Sequence, residues 1–359
     1  MRPGLCEYVA TAMIKHVRPV SRSAANGDTA RIYEQMTREF GIHAEPIVLH
    51  SPAPELLAGA WSVCRETLVA GGSVDRATKE AVATAVSSIN RCPFCVDAHA
   101  VMLAGTGNYE TARLIDQGDY AAIGDPRLRR VVEWAAATRS PGSSILREPP
   151  FEGDQAPELI GTAVLFHYIN RPVTVFLDDS PLPWNGRLLK GGMLRIGGRR
   201  FRELARSSPE AGATLDLLPL AELPEDLRWA EGSAPLAGAW ARFAAAVERA
   251  GELSLPFEAR ARVLARLREW KGEPQPLGSE WLEQGLVALS EEHRAGGRLA
   301  LLSALAPYRV DEGVISSYRE TVADDDRSAD ERIVGAVAWG ALAAARRVGS
   351  WLQAPLPVS

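Results

Sequence analysis

Ser87-Ser88-Ile89-Asn90-Arg91-Cys92-Pro93-Phe94-Cys95-Val96-Asp97-Ala98-His99 is the stretch on which the reading of this chain turns. Asn90 and Arg91 separate two helical patterns. Before them, Ala77, Ala81, Val82, Ala85, Val86 and Ile89 recur at three- to four-residue spacing, which predicts a helix from about Val74 to Ile89 with Ser73 as its N-cap. After them, Pro93 suits a first helical position, so a second helix is predicted from near Cys92 through Cys95, His99 and Leu103. On that helix Cys92, Cys95 and His99 stand at i, i+3 and i+7 and share one face. If the pair folds back as an antiparallel hairpin, Glu80 and His99 lie level, each about 13–15 Å from the turn at the helical rise per residue. Glu80 then reaches one imidazole nitrogen while the other faces Cys95.

These are the residue types of thiol redox chemistry. A thiolate is the nucleophile, so a reactive cysteine needs a group that lowers its pKa. A helix N-terminus favours a thiolate at Cys92; a histidine at i+4 favours Cys95. Geometry alone leaves both open. The triad of nucleophile, base and orienter of the base is complete with Glu80. A structural zinc on Cys92, Cys95 and His99 is the rival use of the same side chains, but three ligands on one helical face fit a tetrahedron poorly and there is no second CxxC. We expect neither a metal nor a cofactor. A dithiol that only exchanges disulfides is a further alternative.

The periodicity is helical nearly everywhere, and no Val/Ile/Thr alternation is long enough for a sheet, so an all-α fold is expected. Asn185-Gly186 suggests at most a local hairpin. The 359 residues suffice for two ordinary domains, and 46% of them are hydrophobic. The net charge of -5 gives no electrostatic reason to expect nucleic acid as a partner. Met1 to Val20 has no h-region, and the longest apolar run, Gly335 to Ala345, is far shorter than the roughly 20 residues that span a bilayer. A cytoplasmic protein with no membrane partner is the expectation. Four cysteines in such a chain do not make a disulfide framework.

The chain also carries a weak internal repeat. Leu57-Ala58-Gly59-Ala60-Trp61 recurs as Leu236-Ala237-Gly238-Ala239-Trp240. Ala156, Glu158, Ile160, Ala163, Val164 and Phe166 have counterparts in Ala329, Glu331, Ile333, Ala336, Val337 and Trp339. The offsets of 179 and 173 residues are close enough to keep the order of the pieces. Two related helical halves follow: residues 1–180 with the CxxC, a linker at 181–235, and residues 236–359. Where the second CxxC would fall the chain reads Lys271-Gly272-Glu273-Pro274-Gln275-Pro276, so the second copy has kept the scaffold and lost the thiols.

At Glu80, Cys92, Cys95 and His99 the chain resembles the AhpD-like branch of the carboxymuconolactone decarboxylase family. The shared signature is a glutamate, eleven residues, CxxC, three residues and a histidine. The resemblance is strong over about residues 50–110, moderate through Asn170-Arg171 and weak beyond 180. It implies an all-helical homo-oligomer that acts as a thiol-dependent hydroperoxide reductase, or as an adaptor that reduces a peroxiredoxin. It implies that Cys95 attacks the peroxide, that the sulfenic acid condenses with Cys92 to a disulfide, and that a dithiol such as dihydrolipoamide restores it. Glu80 and His99 would carry the proton. One departure is Phe94, where the best-known redox members have a second histidine; it shortens the relay.

Other residues read as scaffold. His167, on an apolar helix with Phe166 and Tyr168, is expected to be a satisfied core histidine. Cys6 and Cys64 are expected to be buried and inert, and Trp61 and Trp240 to be core. His16, His43, His50 and His293 fall in no chemical pattern. Arg187, Lys190, Arg195, Arg199, Arg200, Arg202 and Arg206 form a basic stretch that reads as a solvated face.

Overall fold

The structure, a computed structural model, describes residues 14–179, 201–205, 207–323 and 327–352. Among these the fold is all-α; the only β pairing is an isolated bridge between Ile14 and Leu177. The helices are α1 (Gly27–Glu39), α2 (Glu45–Val48), α3 (Pro54–Cys64), α4 (Arg76–Ile89), α5 (Pro93–Gly105), α6 (Tyr109–Gln117), α7 (Pro126–Ala137), α8 (Ser144–Arg147), α9 (Ala156–Phe176), α10 (Ala234–Ser254), α11 (Phe257–Glu269), α12 (Glu280–Leu286), α13 (Glu291–Leu305), α14 (Glu312–Thr321) and α15 (Ala329–Leu352). No helix among the described residues is long and apolar enough to cross a membrane.

The centre is α9, largely apolar and buried except at Ala156 and Thr174. A helix of that composition must be covered on every side; α4 covers one flank and α15 another. In turn α10 packs on α3 and on α15. The two segments that match in sequence, α3 with α10 and α9 with α15, therefore lie against one another in pairs. One apolar core runs through both halves, with Trp61 and Trp240 fully buried in it as expected.

Residues 207–230 fall in the stretch whose prolines and glycines suggest a linker, yet much of this segment is packed. Glu66, fully buried, accepts from the Gly212 amide at 2.7 Å and from Thr214 Oγ1 at 2.7 Å. Leu227, Trp229 and Ala230 are buried in the core. The Asn185-Gly186 turn lies outside the described residues, as does the basic stretch apart from Arg202, which is exposed.

The hairpin that carries the CxxC forms as its sequence requires, with one shift. The N-cap of α4 is Asp75, whose carboxylate accepts from the Thr78 amide at 2.9 Å. Ser73 is occupied elsewhere: its hydroxyl and amide both donate to Glu158, at 2.9 and 2.6 Å. At the far end of α4, the Arg91 amide donates to Ser88 O and the Cys92 amide to Ser87 O, both at 3.0 Å. With Arg91 at φ 55 this is a Schellman cap, normally closed by glycine. Cys92 emerges from it as the N-cap of α5, with Pro93 first in the helix.

Candidate active site

The turn brings α4 and α5 together, and their register does the rest. His99 Nδ1 lies 2.7 Å from Glu80 Oε2, and Arg76 Nε donates to Glu80 Oε1 at 2.6 Å. Glu80 is fully buried. Burial alone would raise its pKa, but the Arg76 guanidinium and His99 outweigh it and hold the carboxyl below its usual value. Glu80 is thus an ionised acceptor inside the protein. An acceptor-only carboxylate at Nδ1 fixes the proton there and leaves Nε2 with its lone pair free. Phe166 presses edge-on against the same imidazole, with ring centroids 4.5 Å apart, and restricts its tilt.

Both CxxC sulfurs are buried, Cys92 at 1% and Cys95 at 2% exposure. Burial pushes the Cys95 thiol well above its ordinary pKa, and a hydrogen bond with Cys92 pushes it further; a hydrogen bond with the Asn170 side chain acts the other way. Asn170 belongs to a buried polar network: its Nδ2 donates to Ser87 Oγ at 3.1 Å and its Oδ1 accepts from Asn90 Nδ2 at 2.9 Å. His167 closes that network between Asn90 and Thr138, at 3.2 and 2.8 Å, and is held neutral by burial. It is a satisfied core histidine, as its apolar helix suggests.

Beside the thiols lies a largely apolar cavity of about 190 Å³. Cys95 and His99 border it; Cys92 does not. Its walls are Phe94, Ala98 and Met102 of α5, Leu165, Phe166 and Ile169 of α9, and Phe40, Ile42, Pro46 and Ile47 around α2. Cys64 also touches it, but burial raises that thiol to about 12, consistent with an inert side chain. Cys6 is outside the described residues. Among the described residues no three His, Cys, Asp or Glu side chains gather in a metal-holding arrangement.

Glu80 and His99 are therefore in contact as their spacing suggests, Cys95 and His99 border one cavity, and Cys92 is hydrogen-bonded to Cys95 off that wall. Arg76, the contact of Asn170 with Cys95 and the α2 wall escaped the sequence reading. The i, i+4 spacing of Arg76 and Glu80 was a signal for the first; nothing local points to the others.

Residues 54–137 match the carboxymuconolactone decarboxylase family. A protein of Mycobacterium tuberculosis (strain ATCC 25618 / H37Rv) named alkyl hydroperoxide reductase is 39% identical over 341 residues, covering 95% of each chain. With the matched region spanning the Glu80–His99 hairpin and the likeness extending over nearly the whole length, the chain belongs to the carboxymuconolactone decarboxylase family.

Proposed function

We propose that this chain is a thiol-dependent hydroperoxide reductase of the cytoplasm, with one redox site in its N-terminal half. The observation that carries the reading is that Cys95 and His99 both border the apolar cavity while Cys92 does not. A hydroperoxide in that cavity meets one sulfur and one imidazole.

Cys95 holds its proton until a base takes it. His99 Nε2, kept free by the Glu80 bond to Nδ1, is that base. The Cys95 thiolate attacks the terminal peroxide oxygen and the O–O bond breaks. The alkoxide leaves and takes the proton from His99 as the alcohol, and Cys95 becomes a sulfenic acid. Cys92 then attacks the Cys95 sulfur, water departs, and the disulfide forms. A dithiol reduces it by exchange and is itself oxidised. The positive charge gained by His99 is stabilised by the buried Glu80 carboxylate, which Arg76 keeps ionised.

The burial of both sulfurs favours a small dihydrolipoamide-like dithiol as the reductant, and a hydroperoxide rather than a peroxiredoxin disulfide as the group reduced. We read the sequence repeat, with its matched helices packed in pairs, as a duplication whose second copy has lost the CxxC. Assembly into a homo-oligomer belongs to the same proposal.

Hydroperoxide consumption by reduced protein with dihydrolipoamide, in wild type and Cys95→Ser, tests the function. Turnover that vanishes in the variant is expected. No turnover in the wild type, with the Cys92–Cys95 disulfide still forming and exchanging, would overturn the peroxidase in favour of a disulfide reductase for a protein partner.

A further inference from the structure

A second cavity, of about 300 Å³, lies in the C-terminal half. The repeat says where it sits. Extending the Leu57–Leu236 register pairs Leu68 with Val247; extending the Ala156–Ala329 register pairs Phe166 with Trp339 and Ile169 with Leu342. Leu68, Phe166 and Ile169 border the cavity at Cys95. Val247, Trp339 and Leu342 border the second one. Two cavities that share three register positions are the same place in two copies of the scaffold. The second has no thiol wall. Leu264, Leu267 and Arg268 of α11 line it instead.

The volume falls at the lower end of small-molecule pockets, about 300–1,000 Å³. Its charge is unbalanced. Both carboxylates on its wall are already held by guanidinia: Asp226 by Arg346 at 2.5 and 2.7 Å, and Glu248 by Arg260 at 2.6 Å. Glu248 also accepts from Trp339 Nε1 at 3.0 Å, which fixes the indole against the cavity. The Trp339 ring lies so close to Gly251 that a Cβ there would meet it at 2.1 Å, so the wall requires that glycine. Arg347 donates to the carbonyls of Trp270 and Arg268 and lies over the Trp351 ring, 5.4 Å from its centroid, with no carboxylate partner among the described residues. Arg268 has no ion pair among the described residues, and it is exposed at the cavity rim beside Leu264, itself 42% exposed. An apolar floor under two guanidinia without carboxylates suits a ligand with an apolar body and one negative charge.

We propose that the C-terminal half binds an organic carboxylate with an apolar body in this cavity, its chain against Val247, Leu267 and Leu342 and its carboxylate on Arg268 and Arg347. The duplicated half has thus exchanged chemistry for binding. The proposal uses the repeat only as a register and stands whether or not the first half reduces peroxides.

Isothermal titration of the full-length protein with decanoate, and with decan-1-ol as the uncharged comparison, tests it. Ala343→Phe fills this cavity, Ala98→Phe fills the one at Cys95, and Arg268→Ala removes the rim charge at an exposed position where folding is not at stake. The expected result is decanoate binding that loses one site in Ala343→Phe, keeps it in Ala98→Phe, and weakens roughly three- to tenfold in Arg268→Ala, the loss of one partly exposed charge-assisted hydrogen bond. Decan-1-ol should bind more weakly than decanoate. Absence of decanoate binding, equal binding of the alcohol, indifference to Arg268→Ala, or loss in Ala98→Phe alone would each overturn the proposal.

Discussion

Glu80→Gln is the sharpest perturbation of the redox site, because it keeps the shape and removes the charge. Glu80 is fully buried between Arg76 Nε at 2.6 Å and His99 Nδ1 at 2.7 Å. Hydrogen bonds to charged groups contribute about 1.5–3 kcal/mol each, and removing one partner of a buried pair costs about 3–5 kcal/mol. Arg76 keeps 15% side-chain exposure and can turn partly to water, so a loss near the lower limit, about 3 kcal/mol, is expected in urea unfolding at pH 7. The catalytic loss has a separate cause. A glutamine amide can donate to Nδ1 and force the proton onto Nε2, which removes the base; the corresponding exchange in a serine-protease triad costs about 10⁴-fold. A fall of about 10²–10⁴-fold in kcat/KM for hydroperoxide, in protein shown to be folded by circular dichroism, is therefore expected. The pH dependence gives an independent reading. The folded pKa of Glu80 lies below its ordinary value of 4.5, so its contribution is present above that value and is lost as pH falls further through the folded pKa. Wild type should lose stability on acidification below 4.5, and the variant should lose less. Turnover within about threefold of wild type, in folded Glu80→Gln, would refute the assignment of Glu80 as orienter of the base.

Arg91 holds a left-handed conformation that costs a non-glycine residue about 1–2 kcal/mol, and its side chain is exposed; Arg91→Gly should raise unfolding stability by about 1 kcal/mol in urea titration. Alkylation of Cys95 by iodoacetamide, followed by mass spectrometry, should rise with pH up to and beyond the ordinary thiol value of 9.0, and Cys92→Ser should shift that rise to lower pH by removing one of its causes. Cys64→Ala should leave peroxide turnover within about twofold of wild type, since the thiol is inert at neutral pH; a loss of activity without loss of fold would show that Cys64 takes part. Lys79→Met strips the countercharge from Glu158, 2.5 Å away and also buried, and should cost about 3–5 kcal/mol; a neutral outcome in urea unfolding would mean that Glu158 takes up a proton instead.

How much of this was legible depended on the range over which each feature is set. The Glu80–His99 contact follows from helical rise and one turn, both local, and spacing alone brought it within reach. The N-cap moved from Ser73 to Asp75 because Ser73 is claimed by Glu158, 85 residues away in the chain, which no local rule encodes. The all-α fold is visible in periodicity, whereas the packing of residues 207–230 against Glu66 is not, since a loop rich in proline looks the same whether packed or free. Cys64 was legible as buried, but the cavity it touches was not. That cavity owes one wall to α2, a four-residue helix too short to carry a periodic signal, and its place beside Cys95 is fixed by long-range packing.

The burial of the thiols bears on what can regenerate them. On the proposed reading the oxidising step needs only a hydroperoxide small enough to enter beside Cys95. The reducing step needs a thiolate to reach a sulfur in line with the disulfide. Cys92 is 1% exposed and does not border the cavity, while Cys95 does. A dithiol entering by the cavity therefore meets Cys95 first and expels Cys92 as the leaving thiolate. That thiolate forms at the N-cap of α5, where the helix dipole favours negative charge. The same asymmetry that gives Cys95 the peroxide would thus give it the mixed disulfide with the reductant, and trapping with a dithiol should link the reductant to Cys95 in Cys92→Ser. A mixed disulfide that forms only on Cys92, in Cys95→Ser, would mean that the reductant approaches from outside the cavity and that the site opens to admit it.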